Sequence, residues 1–455
     1  MERAFGAPGR RSRWGLRGWI LLVAVVLAAA GCVEGDDTAD GAETAADGGE
    51  GSASDTGDAD ATDDDEGTGD GAEPVGEAPE EIVIGNPIAL SGINNPGAAL
   101  SQIPSYDLWV EDVNAAGGIY VEEYDTRIPV RIQRVDDTSD VGTAVGQVQQ
   151  MVDDDSIHFI LPPWGTAANF AIAETISEAE TPVLGCTVGS RELVENADQY
   201  PYFYTMLNQA QEQGTALVEL LVELGVETAA VIHHDDLHGI EFAEVVLPQL
   251  EDQGIEVVYD EVYPTGAEDL TQTLRAVQDA DPQALLAFSY PAETIGMTGQ
   301  LIGLEYSPDL FFATVGVAFP AYRDIYGPGI EGVFGTGVWN PTVGTDDAQG
   351  YFDRHVALHD AEPDRWASAA CYASGQVLQQ AIEAAGTLDP VAVKEALDTT
   401  EFTTILGTFR FENQVNPVYP GQIGQWQDGE FQVVAPAEGR TVDVIHPKAP
   451  WPAAE

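Results

Sequence analysis

An α/β fold of two doubly wound lobes with parallel sheets is what the sequence predicts, on two observations. From Ile82 onward, short apolar runs of strand length alternate with longer runs of helical periodicity. Near residue 209 the alternation restarts and runs through a second time. Strands joined by short links through helices pair in parallel, and the helices then cover both faces of the sheet. Two successive series of this kind make two lobes. A single closed eight-stranded barrel is the structural alternative.

The elements follow in order. Ile82-Val-Ile-Gly-Asn-Pro-Ile-Ala-Leu90 is apolar enough for a strand buried on both faces. A helix is expected over 98–116, stopped by Gly117-Gly118. Strands over 130–135, 158–161, 182–184 and 202–206 accompany helices over 143–153 and 167–179. In the second series, helices over 211–224, 241–253, 270–280 and 294–304 alternate with strands over 229–233, 256–263, 284–289 and 310–314. A long helix over 367–385 and strand-like ribbons over 404–411 and 423–434 complete the body. No short internal repeat is visible.

Composition excludes several classes of partner. The chain has 455 residues, with 77 Asp and Glu against 17 Lys and Arg, a net charge of −60. Such a chain has no basic face for nucleic acid, and an anionic membrane surface repels it. A hydrophobic fraction of 44% and eight Trp residues suffice for substantial cores. Three cysteines are too few for a disulfide scaffold and too scattered for a zinc site. The charge is also unevenly placed. Residues 1–31 hold five arginines and one acid, residues 33–81 hold 19 acids and no Lys or Arg, and residues 82–455 hold 57 acids and 12 bases. An acidic body of this kind suits a salty exterior, where screening relieves self-repulsion.

The basic start leads into Trp19-Ile-Leu-Leu-Val-Ala-Val-Val-Leu-Ala-Ala-Ala30 and then Gly31-Cys32. Twelve apolar residues rise about 18 Å as a helix, short of a bilayer core of about 30 Å, so a secretory signal over 1–31 is expected. Ala29-Ala30-Gly31-Cys32 resembles the lipobox of bacterial lipoproteins, with Ala29 where Leu is commonest. That resemblance implies lipidation of Cys32 and a protein held on the outer face of the cytoplasmic membrane. The stretch 33–81 is nearly devoid of large apolar residues, so with Cys32 it is expected to form an acidic, solvated tether.

Ligands of open parallel sheets bind beyond the carboxyl ends of strands. The loop Pro162-Pro-Trp-Gly-Thr-Ala-Ala168 places Trp164 and the Thr166 hydroxyl there, at a helix start suited to an anion beside an aromatic. An ordinary helix cap with a core Trp fits the same spacing. More residues match a known pattern: Val113-Asn-Ala-Ala-Gly-Gly118, Val135-Asp-Asp137, Thr181-Pro-Val-Leu-Gly-Cys-Thr-Val-Gly-Ser-Arg-Glu-Leu193, Val231-Ile-His-His-Asp-Asp-Leu-His-Gly239, Tyr263-Pro-Thr-Gly-Ala-Glu-Asp269 and Leu406-Gly-Thr-Phe-Arg-Phe411. In order and spacing, residues 82–435 resemble the leucine/isoleucine/valine-binding protein family, the solute receptors of ABC importers. The resemblance implies the type I periplasmic binding fold: two Rossmann-like lobes joined by three hinge crossovers, closing on a solute. It implies lobe 1 at 82–208 and 338–418, lobe 2 at 209–337 and 419–436, and a tail at 437–455. It further implies that the solute carboxylate is held at Thr166 and Ala167 and again around Thr187, Val188 and Gly189 in lobe 1, with lobe 2 contacts near His238, Tyr290, Val315 and Gly316; Trp164 joins them from the strand-end reading.

Three positions depart from the family. Gly189 stands where a hydroxyl residue is frequent, His238 where a Tyr is common, and Val315 where an acid pairs with the solute's α-ammonium. A buried ammonium without a carboxylate is costly, so either Asp235, Asp236 or Glu293 substitutes or the solute lacks an α-amino group. Trp164 and Trp339 are expected to line a pocket for an amino acid or a related small carboxylate or amide, aromatic ones included.

Other chemistry has less support. His233-His-Asp-Asp-Leu-His238 collects metal-ligand types, but the resemblance makes it a solvated cleft rim, and no metal or cofactor is expected. No G-x-S-x-G, H-E-x-x-H, P-loop or G-x-G-x-x-G motif is present, so no catalytic residue is assigned and no enzyme is expected. Cys186 and Cys371 are expected as core residues, with a disulfide between them open to an exported protein. The resemblance implies as partners a small-molecule solute, the ABC permease and ATPase subunits and, through the lipid, the membrane, with no nucleic acid. The alternative is a ligand-sensing receptor of the same fold.

Overall fold

The computed structural model describes residues 76–342, 345, 347–419 and 421–451. The expected signal at 1–31, Cys32 and the tether up to residue 75 lie outside the described residues. The described residues all belong to one compact unit.

The described residues form two α/β lobes. In the first, β1 (Ile82–Ile88) is flanked in parallel by β4 (Val130–Asp136) and β5 (Phe159–Ile160), after a small hairpin of β2 (Ile119–Val121) and β3 (Thr126–Ile128). A second parallel pair, β6 (Val183–Gly185) with β7 (Phe203–Thr205), follows. β5 is short for a local reason. The chain after it runs into Pro162 and Pro163, which have no N–H to continue a ladder. Side chains instead satisfy the Pro162 carbonyl, which accepts from Asn86 Nδ2 at 3.1 Å and Gln102 Nε2 at 2.8 Å.

The second lobe is a seven-stranded sheet. β8 (Thr228–His234), β9 (Glu256–Tyr263), β10 (Ala284–Phe288), β11 (Leu310–Ala313) and β12 (Phe334–Thr336) are parallel. Near the C-terminus, β13 (Phe402–Thr404) and β14 (Gly407–Phe409) form a hairpin of their own. β15 (Ile423–Gln427) and β16 (Glu430–Ala435) close the large sheet antiparallel, in the order β16-β15-β12-β11-β10-β8-β9. Between β12 and β15 the chain returns to the first lobe, where helix Ser368–Ala385 packs on helix Ile103–Ala115 and Val415 bridges to Thr205, so it crosses between lobes three times.

Period-two patterning explains why β8 and β10 read as unbroken apolar runs. Ala229, Val231, Ala284, Leu286 and Phe288 pack on one face under helices Ala210–Glu223 and Leu237–Gln253. Ala230, Ile232, Leu285 and Ala287 pack on the other with Leu274, Val277, Met297 and Leu301, from helices Thr271–Ala280 and Pro291–Gly303. This two-faced cover is the doubly wound arrangement expected from the sequence; the closed barrel is not formed.

Several boundaries differ from the sequence reading. The helix expected from 98 begins at Asn95 and passes through a π-helical segment, Ala98–Gln102. The helix expected from 241 begins at Leu237, because Asp236 caps it by accepting from the His238 N–H. The helix expected from 294 begins at Pro291, whose fixed φ suits a first helical position. Each expected ribbon is a hairpin. Asp428-Gly429, both at positive φ, turns the chain between β15 and β16 as a two-residue loop. Helices Ala348–His359 and Pro390–Thr399 had no counterpart in the sequence reading.

Cys186 and Cys371 are both fully buried and form a disulfide, linking the loop after β6 to helix Ser368–Ala385. Among the described residues, no helix is long and apolar enough to cross a membrane.

Candidate functional site

The loops beyond the strand ends of the two lobes meet in a closed cleft. Its centre is the Pro162–Ala168 loop. Gly165 has φ 97°, a left-handed conformation that only glycine adopts readily, and this turn starts helix Thr166–Glu178. Trp164 is 1% exposed, and its Nε1 donates to Ser101 Oγ at 3.2 Å. Gly97 makes room for the indole: a Cβ there would stand 2.2 Å from Trp164 Cζ2.

Tyr290 enters from the second lobe, immediately before helix Pro291–Gly303. Its ring meets Trp164 edge-on, with centroids 4.9 Å apart, and stacks on His238 at 5.2 Å and 16°. Its hydroxyl donates to Asp236 Oδ1 at 2.9 Å and accepts from the Thr166 N–H at 3.2 Å. Burial, with Asp236 beside it, pushes the phenol well above its ordinary pKa, so it stays a neutral donor. Burial also holds the His238 imidazole well below its ordinary range, with His234 adding to the effect. His238 Nε2 lies 2.9 Å from Thr314 Oγ1.

Behind Tyr290, Glu293 is fully engaged. Its carboxylate accepts from the Tyr290 N–H at 2.8 Å and the Gly266 N–H at 2.6 Å, and lies 3.0 Å from His234 Nδ1. It is therefore not a free partner for a solute ammonium. The second lobe also reaches across at Glu241. This buried carboxylate accepts from Ser190 Oγ at 2.9 Å, the Arg191 N–H at 3.2 Å and the Glu192 N–H at 3.0 Å, capping helix Arg191–Glu195 of the first lobe.

Two cavities of about 220 and 290 Å³ lie in the cleft and share Ile93, Asn94, Thr265 and Tyr290. The smaller is walled by Trp164, Ala167 and Tyr290 and by four aspartates, Asp137, Asp140, Asp235 and Asp236. No Lys, Arg or His lines either cavity. Asp137 is 2% exposed, and burial, reinforced by the charges of Asp136 and Asp140, pushes its carboxyl up to about 6. Asp140 and Asp235 are held below their ordinary range by hydrogen bonds from Thr143 and Thr265.

Of the residues named from the sequence, Trp164, Ala167 and Tyr290 line the smaller cavity. Thr166 contributes its backbone N–H to Tyr290, and Thr187 Oγ1 accepts from the Gly165 N–H at 3.3 Å. Val188 packs in the core beneath the first lobe, and the Gly189 carbonyl accepts from the Ala210 N–H. His238 backs Tyr290, while Val315 and Gly316 lie behind the cleft wall, with the Val315 carbonyl accepting from Thr294 Oγ1. Trp339, expected in the pocket, packs on Tyr351 with its Nε1 donating to the Asp364 carbonyl, and lines neither cavity. Asp137, Ser139 and Asn94 were not singled out as solute contacts; the one signal was an acid pair at the end of a strand. Among the described residues, no three His, Cys, Asp or Glu side chains gather as a metal site, and His233 Nδ1 instead lies 3.0 Å from the His234 carbonyl.

Two α/β lobes, three crossovers and a cavity at the strand ends are the architecture of a two-lobed binding protein. Residues 81–430 match the family described as periplasmic binding protein, and the chain belongs to that family. A curated relative, the Leu/Ile/Val-binding protein homolog 7 of Brucella suis, is 22% identical over 349 residues, covering 72% of this chain and 85% of its own. Among solved structures, the substrate-binding protein LivJ of Streptococcus pneumoniae, in complex with isoleucine, superposes with a TM-score of 0.67 at 18% identity, covering 77% of this chain and 97% of that one. A solute-binding protein of an R. palustris ABC transporter, in complex with benzoate, gives 0.67 at 15% identity, covering 82% and 98%. The fold is the type I periplasmic binding fold, and the chain is a binding protein rather than an enzyme.

Proposed function

We propose that this chain is the extracytoplasmic receptor of an ABC importer, anchored through lipid on Cys32. It captures a small solute of the amino acid, amide or related carboxylate kind between its lobes and presents it to a permease. The observation that carries this reading is the cavity at the strand ends, walled by Trp164 and Ala167 from one lobe and Tyr290 from the other. A solute that touches both lobes favours their closed arrangement, and that differential affinity is what a permease can read. In this reading Trp164, Ala167 and Tyr290 touch the solute, and Thr166 and Thr187 hold the loop. Val188, Gly189, His238, Val315 and Gly316 support the wall from behind. The relatives' names favour solutes of this size, and a cavity of about 220 Å³ lies below the roughly 300–1,000 Å³ of sites for drug-sized ligands.

The test is a mass spectrum of what the full chain releases on denaturation, followed by titration of that compound into refolded protein. A single small solute that rebinds with unit stoichiometry supports the reading; no released compound, and no solute that binds, refutes it. Fatty-acid labelling of cells tests the anchor: label on the wild type that is lost in Cys32→Ala is expected.

A further inference from the structure

The three crossovers lie side by side, and Gln422 touches the other two from the third. Its carbonyl, just before β15, accepts from the Gly337 N–H of the second crossover at 3.0 Å. Its side-chain Oε1 accepts from Asn208 Nδ2 of the first. The buried Asn208 amide is held in that orientation by Gln213, whose Nε2 donates to Asn208 Oδ1 at 3.1 Å and to its carbonyl at 2.6 Å. The second and third crossovers are backbone-paired and close: a Cβ on Gly421 would stand 3.2 Å from the Gly337 carbonyl. The first and third are backbone-paired on the first-lobe side, where the Thr205 N–H donates to the Gln414 carbonyl at 2.8 Å and the Asn416 N–H to the Thr205 carbonyl at 2.9 Å. On the second-lobe side, among the described residues, the hydrogen bond that joins these two is the side-chain pair Asn208–Gln422. The loop after β6 rests on the same crossover. The Gly189 carbonyl accepts from the Ala210 N–H at 3.1 Å, and a Cβ on Gly189 would stand 3.2 Å from the Asn208 carbonyl. Two residues earlier, Thr187 Oγ1 holds the Gly165 N–H in the cavity wall.

We propose that Asn208 and Gln422 form a hinge clasp, a pair of positioning residues that favours the closed arrangement of the lobes without touching the solute. This rests on the reading of the lobes as closing on a solute and adds what holds their joint. Rotation of the lobes turns the first crossover against the paired second and third. The backbone bonds at Thr205 travel with the first lobe as a body, so the turn falls on the side-chain pair beyond them. Asn208 is 1% exposed, and parting the pair leaves a buried amide to find another partner. A bond made in the closed arrangement and lost in the open one raises the closed population, and solute affinity rises with it. Gly189 stands where the family frequently has a hydroxyl residue. Its missing side chain lets the Thr187–Gly189 loop sit directly on the Asn208 carbonyl, which couples the joint to the cavity wall.

The experiment is small-angle X-ray scattering of the full chain before and after removal of bound solute by unfolding and refolding, with urea unfolding alongside. Solute-free Gln422→Ala and Asn208→Ala should each have a larger radius of gyration than the solute-free wild type. Each should also bind the compound released by the wild type about tenfold more weakly. Gln422→Glu keeps an acceptor for Asn208 and should restore the wild-type radius. Asn208→Ala also strips Gln213 of an acceptor, and should it fail to fold, Gln422→Ala decides alone, since that residue is half-buried and its backbone bonds remain. A purely structural role would lower the urea midpoint of the Ala variants and leave their radius at the wild-type value. That result, with a wild type that still expands on losing its solute, would overturn the clasp and leave solute capture standing. One radius for wild type and variants alike, with and without solute, would overturn both.

Discussion

The hydroxyl of Tyr290 accepts a hydrogen bond from the backbone N–H of Thr166 at 3.2 Å, across the cleft between the lobes. A phenol thus occupies the helix start where the family resemblance implied a solute carboxylate. The same oxygen donates to Asp236, so one side chain joins a first-lobe helix, a second-lobe acid and the cavity wall. Tyr290→Phe removes both bonds and leaves a buried N–H unpaired. A loss of about 1–3 kcal/mol in urea unfolding of the solute-free chain is expected, with a larger radius of gyration by X-ray scattering as the lobes part.

Asp137 gives the solute-free protein a pH dependence of known sign. Its folded pKa, about 6, is above that of the unfolded carboxyl, so its contribution to stability is full below the unfolded value. That contribution is lost as pH rises through about 6. Asp136 and Asp140 face the group from its own segment, and Asp235, Asp236 and the neutral Tyr290 share its cavity. The melting temperature of the solute-free wild type should therefore fall between about pH 4 and 6 relative to Asp137→Asn, on the order of 2 kcal/mol in stability.

The Cys186–Cys371 disulfide joins positions 185 residues apart within one lobe. Closing so long a loop restricts the unfolded chain, so reduction or a Cys186→Ser, Cys371→Ser double variant should cost about 2–5 kcal/mol. Thermal unfolding with and without reductant measures it. Wild type alone should respond to the reductant.

Gly97→Ala tests how the Trp164 wall is built. The new methyl would overlap the indole, which is held by Ser101 and packed against Trp366 and Tyr290. A destabilisation of about 1–3 kcal/mol is expected, with altered Trp fluorescence and weaker solute binding.

The net charge of −60 predicts a further response. Screening of self-repulsion should raise the melting temperature as salt increases from 0.01 to about 1 M, where the Debye length falls from about 30 to about 3 Å.

Much of the fold was legible because its signals are local. β9 runs over Glu256–Tyr263, as the apolar pattern had it, and most other elements fall within three residues of their expected ends. The misplaced starts at Leu237 and Pro291 came from weighting periodicity over the capping Asp236 and the Pro. The missed hairpin at Asp428-Gly429 carried a turn signal that a single ribbon ignored. For the site, Trp164 was named from its place in a strand-end loop and Tyr290 through the family resemblance, and both line the cavity, whereas Trp339, equally aromatic and near a strand end, does not.

By itself the sequence determined the α/β alternation, the restart that makes two lobes, and the acidic body, because side-chain periodicity and composition act within a few residues. Only the tertiary structure decided which strand-end residues share a cavity. Asn94, Asp137, Trp164, Asp236 and Tyr290 come from five separate loops, and their meeting depends on sheet order and on how the lobes close. The same closure decided that Glu293 is spent inside its own lobe while Asp137 keeps an unpaired oxygen, since hydrogen-bond partners are fixed by position in space rather than by order in the chain.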